Sequence, residues 1–154
     1  MRIVLAVVGK PRDAALATAI RDYEARATRY WPLEVREVRE ESGRSLSAQQ
    51  RRDREGERLA ATIPAGAHAV SCEVGGLRMT SEEFALWLQR RREQAKDVAF
   101  FIGGAYGLGE PAQRLTSTRL ALAPWTLPHE IARLVLAEQL YRAGTIVRRE
   151  PYHK

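Results

Sequence analysis

Apolar and polar residues alternate along this chain with two periods, one typical of strands and one typical of helices. Residues Ile3–Val8 form an unbroken apolar run rich in β-branched side chains, as in a strand that is covered on both faces. Residues 12–30 follow with the spacing of a helix, in which Leu16, Ile20 and Tyr23 share one face. This alternation predicts an α/β fold rather than separate helical and sheet halves.

The alternation continues through the rest of the chain. Ser47 with Gln50, and Thr80 with Glu83, have the spacing of capping boxes, so each pair marks the start of a helix. Residues 40–47 are polar, and we expect a mobile connection there. The other predicted strands are Leu33–Val38, residues 67–74, Val98–Ile102 and residues 120–123. The other predicted helices cover residues 47–62, a segment that begins after Thr80, and residues 128–147. In the helix after Thr80, the side chains of Phe84, Trp87 and Leu88 are expected to face the core.

Length and composition limit the classes of protein to consider. The 154 residues are 45% apolar and 29% charged, which suits a single domain over residues 1–154 whose core needs no disulfide or structural metal. The longest apolar run, Ile3–Val8, is too short for a membrane span or a secretory signal. Cys72 is the only cysteine, so we expect a protein of the reducing cytoplasm with no metal site.

The charge of the chain favours a polyanionic partner. Its 25 basic residues face 19 acidic ones, for a net charge of +6. The excess is even along the chain except in residues 142–154, where Arg142, Arg148, Arg149 and Lys154 face one acid, Glu150. Such a cluster can contact phosphates. A solvated chain end is the alternative interpretation, and the charge pattern leaves both open.

A glycine-rich loop follows the predicted strand Val98–Ile102. Residues 103–109 read GGAYGLG, and four glycines in seven residues let the backbone approach a ligand closely. The order differs from G-x-G-x-x-G, and the loop follows the fourth strand rather than the first, so a dinucleotide site of the usual kind is disfavoured. A turn with purely steric reasons for its glycines remains the alternative.

A second loop, residues 122–129, contains Pro124, Trp125 and Pro128 and has few hydrogen-bonding side chains. A stiff loop of this kind contacts a ligand through its backbone and apolar walls, which suits an adenine-type ring. His129 is expected to be a structural hydrogen-bonding residue beside this loop. The sequence lacks the motifs of α/β hydrolases, P-loop nucleotidases and zinc metalloproteases. Residue patterns alone therefore predict a basic α/β domain with a ligand loop near its C-terminus.

Three segments carry a more specific signature. FFIGGAYGLGE, LALAPWTLPHEIARLVLAEQLYRAGTI and the terminal PYHK together resemble the RlmH family of ribosomal RNA methyltransferases, which belongs to the SPOUT class. The resemblance spans essentially the whole chain. It implies a single-domain open sheet of about five or six mostly parallel strands with helices on both faces and a C-terminal trefoil knot, although knotted chains are rare.

The resemblance also implies a reaction. Family members use S-adenosylmethionine to methylate N3 of a pseudouridine in the loop of helix 69 of 23S rRNA. They act as homodimers on assembled ribosomes, and the tail of one subunit completes the site of the other. For this chain the expected partners are therefore a second copy and 23S rRNA in the large subunit or the 70S ribosome.

Residues that match the family's cofactor loops can be named. The expected cofactor-binding residues are Cys72, Gly104, Leu122, Ala123, Pro124, Trp125, Thr126 and Leu127. The sequence departs from the family where Ala121 and Ala123 replace common serines and Cys72 replaces a common leucine. These departures concern the affinity for the cofactor rather than its identity.

The chemistry of the implied reaction assigns roles in the tail. A ring nitrogen that carries a proton needs a base to remove it and a cation to stabilise the charge that develops on the flanking carbonyl oxygens. We expect Arg142 to stabilise that charge, Tyr152 to stack on or orient the base, and His153 to accept the proton or contact phosphate. Arg148, Arg149 and Lys154 are expected to bind RNA.

Two other functions remain alternatives at this point. A non-catalytic RNA-binding protein of the ribosome would explain the basic charge without any cofactor. A small nucleotide-binding enzyme of flavodoxin-like topology would explain the glycine loop, although the order of the glycines disfavours it. Binding of S-adenosylmethionine distinguishes the methyltransferase from the RNA-binding protein.

Overall fold

Five strands and five helices alternate in the computed structural model, which describes residues 1–153 and, of His153, the backbone alone. The strands are β1 Ile3–Val8, β2 Leu33–Val38, β3 His68–Leu77, β4 Val98–Ile102 and β5 Thr118–Leu120. The helices are α1 Ala14–Ala27, α2 Ala48–Ala60, α3 Ser81–Glu93, α4 Glu110–Leu115 and α5 His129–Val147, followed by a 3-10 turn at Pro151–His153. Lys154 lies outside the described residues.

The strands form one parallel sheet in the order β2-β1-β4-β3-β5. The two central strands, β1 and β4, are buried at every residue because helices cover both faces of the sheet. The predicted α/β fold with a parallel sheet and helices on both faces is confirmed. The strand order does not test the trefoil knot, which stays a prediction of the resemblance.

Each face of the sheet has its own apolar core. On one face, side chains such as Leu5 and Phe100 pack with α1, α3 and α5. On the other face, Ala6, Val8 and Phe101 pack with Leu59 of α2 and with α4. Successive residues of β1 thus alternate between the two cores, as the period of a strand requires.

Local capping signals determine where three of the helices begin. Ser47 and Thr80 each accept a hydrogen bond from the third residue of their helix, and Gln50 and Glu83 reciprocate, so both predicted capping boxes are confirmed. The side chain of Asp13 caps α1. The predicted helices over residues 12–30 and 47–62 are too long, because α1 ends at Ala27 and α2 at Ala60, where single turns follow.

The prediction that the third strand ends at residue 74 is wrong. Strand β3 continues to Leu77, with an irregularity after Cys72, and both Cys72 and Leu77 pair with Leu120 of β5. A Cβ on Gly76 would lie 2.6 Å from the carbonyl carbon of Leu120. The missing side chain therefore lets β3 approach the neighbouring backbone instead of turning away.

The segment between β4 and α5 also differs from its prediction. The strand expected over residues 120–123 is Thr118–Leu120, and Leu122 and Ala123 belong to a loop. Helix α4 was not predicted, since it has six residues and too few apolar positions to show a period. Its buried Ala112 closes the second core.

Helix α5 is held in place by polar contacts as well as by apolar packing. The guanidinium of Arg133, which is 6% exposed, pairs with Glu24 of α1 and Glu37 of β2, each at 2.7 Å. The indole N–H of Trp31 donates to the carbonyl oxygen of Leu140 at 2.8 Å.

Within residues 1–153, no helix has the length and apolar character needed to cross a membrane.

The ion pairs of Arg133 lead to a stability prediction. Replacing Arg133 by alanine leaves Glu24 and Glu37 facing each other without their shared cation, so we expect a loss of about 3–5 kcal/mol in the free energy of unfolding. Chemical denaturation measures this loss. The control is Arg114→Ala, which removes an exposed pair with Glu110 within α4 and should change stability little. Equal effects of the two substitutions would contradict a role of Arg133 in fixing α5.

Candidate active site

A cavity of about 670 Å³ opens at the carboxyl edge of the sheet. In open parallel sheets this edge is where ligands bind. Three of the lining segments are residues 72–74 of β3, just past its pairing with β4, the glycine loop after β4, and the loop after β5. The fourth is the start of α5, which contributes His129 and Ala132.

The glycine loop folds back on itself at the cavity wall. A Cβ on Gly103 would lie 2.5 Å from the carbonyl oxygen of Gly107, so only glycine fits there. Gly104 and Gly107 form an isolated bridge, in which the Gly107 N–H donates to the Gly104 carbonyl at 3.0 Å. The tight turn therefore requires glycine for steric reasons, as the alternative interpretation held. The same turn places the backbone of these glycines on the cavity wall.

The structure brings most of the expected cofactor-binding residues together. Of the eight, all within the described residues, seven line the cavity: Cys72, Gly104, Leu122, Ala123, Trp125, Thr126 and Leu127. Pro124 is exposed in the same loop and is not part of the wall. Trp125 is 76% exposed, so it stands at the rim rather than in the interior. That these residues bind a cofactor stays a prediction.

Two polar side chains, Glu73 and His129, line the cavity. Glu73 follows Cys72 on the wall and accepts a short hydrogen bond from the hydroxyl of Ser71. The sequence analysis missed it, although its place directly after a predicted cofactor residue was a usable signal. His129 is half-buried at the first turn of α5 and lines the cavity beside the loop, as expected.

Cys72 forms part of the apolar wall in its neutral form. Burial raises the pKa of its thiol to about 12, and the nearby Glu73 adds to the shift. The thiol is therefore protonated at neutral pH and is a poor nucleophile. This suits a residue that packs against a ligand rather than reacting with one.

The expected catalytic residues Arg142 and Tyr152 lie together, at the other end of α5. One oxygen of Glu138 accepts from Arg142 Nε at 2.9 Å and Nη2 at 2.6 Å, and from the hydroxyl of Tyr152 at 3.1 Å. The Arg142 guanidinium also lies 4.9 Å from the centre of the Tyr152 ring. Tyr141 packs against Tyr152 with ring centres 4.5 Å apart. We call Glu138, Tyr141, Arg142 and Tyr152 the tail cluster.

The remaining tail residues surround this cluster. Arg148 and Arg149 are exposed at the end of α5, and Arg148 lies 4.8 Å above the ring of Tyr30. Arg149 has a φ of +57°, and this left-handed residue turns the chain back toward α5. The side chain of His153 and the whole of Lys154 lie outside what the structure describes, so their expected roles are not tested.

The cavity and the tail cluster are far apart within one chain. Ala132 lines the cavity and Arg142 belongs to the tail cluster, and both are on α5. Arg142 lies ten residues after Ala132, which corresponds to about 15 Å along the helix axis. In a single copy, Arg142 therefore does not reach a ligand in the cavity.

The described residues 1–153 contain no group of three or more His, Cys, Asp or Glu side chains that could hold a metal ion.

Comparison with known proteins identifies the family. The family described as "Predicted SPOUT methyltransferase" matches residues 1–153. The chain belongs to the SPOUT methyltransferase family. The resemblance found in the sequence is thereby confirmed.

Relatives of the chain carry a more specific name within this family. A protein of Gemmatimonas aurantiaca named "Ribosomal RNA large subunit methyltransferase H" is 62% identical over the full length of both chains. Proteins with the same name are 42% identical in Citrifermentans bemidjiense, over 99% of each chain, and 38% identical in Listeria monocytogenes, over 100% of each chain. This chain is therefore similar to them from end to end.

A solved structure shows the same fold. The crystal structure of TrmJ from Z. mobilis ZM4 superposes with a TM-score of 0.51 and 19% sequence identity, covering 93% of this chain and 70% of that one. At this identity the likeness concerns the fold alone. It agrees with the SPOUT assignment of the five-stranded parallel sheet.

The raised pKa of Cys72 leads to a prediction about its reactivity. We expect iodoacetamide to alkylate the folded protein at pH 8 at least about 100-fold more slowly than an ordinary cysteine with a pKa near 8.5. The rate should rise with pH, because the reactive thiolate becomes more populated as the pH approaches the raised pKa. Intact-protein mass spectrometry follows the reaction, and the guanidinium-unfolded chain is the control. Equal rates for the folded and unfolded chains would contradict the raised pKa of Cys72.

Proposed function

We propose that this SPOUT methyltransferase uses S-adenosylmethionine to methylate N3 of a pseudouridine in the helix 69 loop of 23S rRNA. The observation that carries the proposal is the cavity at the carboxyl edge of the sheet, in a chain whose relatives are named for methylation of large-subunit ribosomal RNA. The target nucleotide comes from the RlmH resemblance. The cavity supports the cofactor.

The residues of the cavity fit S-adenosylmethionine. Its volume of about 670 Å³ lies within the range of small-molecule sites. Ile102, Leu122 and Leu127 offer apolar walls for the adenine ring. The backbone of Gly104 and the hydroxyl of Thr126 offer hydrogen-bonding groups, and the carboxylate of Glu73 suits the cofactor's hydroxyl or ammonium groups. When bound, the cofactor supplies an electrophilic methyl group.

The tail cluster supplies what the nucleotide needs. Arg142 is held by Glu138 and is only partly buried, so its guanidinium can stabilise negative charge on a carbonyl oxygen of the base. Burial and hydrogen bonds to Tyr23 and Glu138 raise the pKa of Tyr152. Tyr152 therefore stays protonated and orients or stacks on the base rather than accepting its proton. His153, whose side chain lies outside the described residues, is proposed to accept the proton or to contact phosphate.

Two copies of the chain are needed to join the cavity and the tail cluster. Because about 15 Å of α5 separates Ala132 from Arg142, we propose that the tail of one copy completes the cavity of the other in a homodimer. Ile131, Leu134 and Val135 are apolar and half-buried on α5, and they offer a surface for this contact. Leu140 of the same helix is buried in the core and is not part of this surface.

The RNA partner is proposed to be 23S rRNA within the large subunit or the 70S ribosome, in the cytoplasm. Arg148 and Arg149 are exposed beside the tail cluster, where they can contact phosphates around the target loop. Lys154, outside the described residues, is proposed to do the same. The preference for a target presented by an assembled particle comes from the RlmH resemblance.

A methyl-transfer assay tests the proposed function. The purified protein is incubated with S-adenosylmethionine labelled on its methyl group and with unmodified 23S rRNA, 50S subunits or 70S ribosomes. We expect label in the helix 69 loop, on N3 of a pseudouridine, with ribosomal particles preferred over free rRNA. Ribosomes that already carry the methyl group are the control and should take up no label. Cofactor binding without transfer to any substrate would contradict the proposal, as would label at another nucleotide.

A further inference from the structure

Helix α2 is the support on which the glycine loop lies. A Cβ on Gly109 would lie 2.2 Å from the carbonyl oxygen of Arg52, so the two backbones are in direct contact. The backbone N–H of Glu110 donates to Asp53 Oδ1 at 3.2 Å. Groups of α2 that face the loop therefore determine where the loop lies.

Glu55 is the buried carboxyl group of α2, with 3% of the residue exposed. Its Oε1 accepts the backbone N–H of Glu41 at 2.9 Å, from the segment that follows β2. Its Oε2 is buried and has no hydrogen-bond partner within the described residues 1–153. A Cβ on Gly104 would lie 2.8 Å from this Oε2. The free oxygen therefore lies directly behind a glycine that lines the cavity.

A carboxyl group at this buried position lowers the stability of the fold. A buried oxygen without a partner destabilises the fold, and an apolar side chain would fill the same space without that cost. Burial raises the pKa of Glu55, while the hydrogen bond from the Glu41 N–H and the charge of Arg58 act against the shift. The length of the side chain and its hydrogen bond to the Glu41 N–H are the properties left to explain its presence.

We propose that Glu55 is a positioning residue for the methyl-donor site. Its side chain spans from the backbone of Glu41 to Gly104 and sets the depth at which the glycine loop borders the cavity. It acts through Gly104 and does not touch the ligand itself. This inference rests on the proposed function, since it concerns the same cavity, but it assigns to α2 a part in cofactor affinity.

Variants of different side-chain length test this role. Glu55→Asp shortens the side chain by one methylene group, so we expect the affinity for S-adenosylhomocysteine to fall about threefold to thirtyfold. Glu55→Gln keeps the length and the acceptor for the Glu41 N–H, so its affinity should match that of the wild type. Titration calorimetry on the full chain measures both affinities. The KM for 50S subunits or 70S ribosomes should be the same in all three proteins.

A matched control separates positioning from a general loss of stability. Ile63 lies beyond the end of α2 and packs against the apolar core that contains Leu59 of this helix. Ile63→Ala should therefore lower the melting temperature and leave the affinity unchanged. The inference is overturned if Glu55→Asp binds like the wild type, if Glu55→Gln is as weak as Glu55→Asp, or if Ile63→Ala weakens binding equally. A wild-type protein that binds neither S-adenosylhomocysteine nor S-adenosylmethionine would instead refute the proposed function.

Discussion

Helix α5 is a rigid connection between the two parts of the molecule that the proposed reaction needs. Its first turns border the cavity, and its last turns carry the tail cluster. The ion pairs of Arg133 with Glu24 and Glu37, and the hydrogen bond from Trp31, fix the helix against α1 and the sheet. Because the helix cannot bend enough to bring its ends together, the separation of about 15 Å is a property of the fold. This constraint makes a second copy of the chain the simplest source of the missing groups.

Only some of the basic residues behind the net charge of +6 are available to a partner. Several arginines serve the structure rather than a partner: Arg133 is buried in ion pairs, and Arg92 lies 4.0 Å above the ring of Trp31. Arg58 pairs with Glu41, next to the segment that Glu55 anchors. The cations left for RNA are the exposed ones, and residues 142–149 bring several of them together beside aromatic rings. Basic composition alone therefore overstates how much of this surface can bind RNA.

The sequence predicted those features that depend on neighbouring residues. Capping at Ser47 and Thr80 is a contact across three residues, and the buried strand β4 is a continuous apolar run. Features that depend on distant partners were missed or misplaced. Arg133 meets residues 96 and 109 positions away, and Leu122 is apolar because it lines the cavity rather than because it continues β5. The candidate site residues came from the resemblance, and periodicity would have given only the two loops.

In the proposed homodimer, one active site takes its cavity from one chain and its tail cluster from the other. Complementation in mixed dimers tests this claim directly. Thr126→Trp fills the cavity from its exposed loop, Arg142→Ala removes the proposed catalytic cation, and each variant alone should be inactive in methyl transfer. Mixed dimers, isolated with two different affinity tags, should recover about half of the wild-type rate, since one of two composite sites is intact. Mixed dimers as inactive as both parents would show that each chain builds its site alone, and would contradict the account.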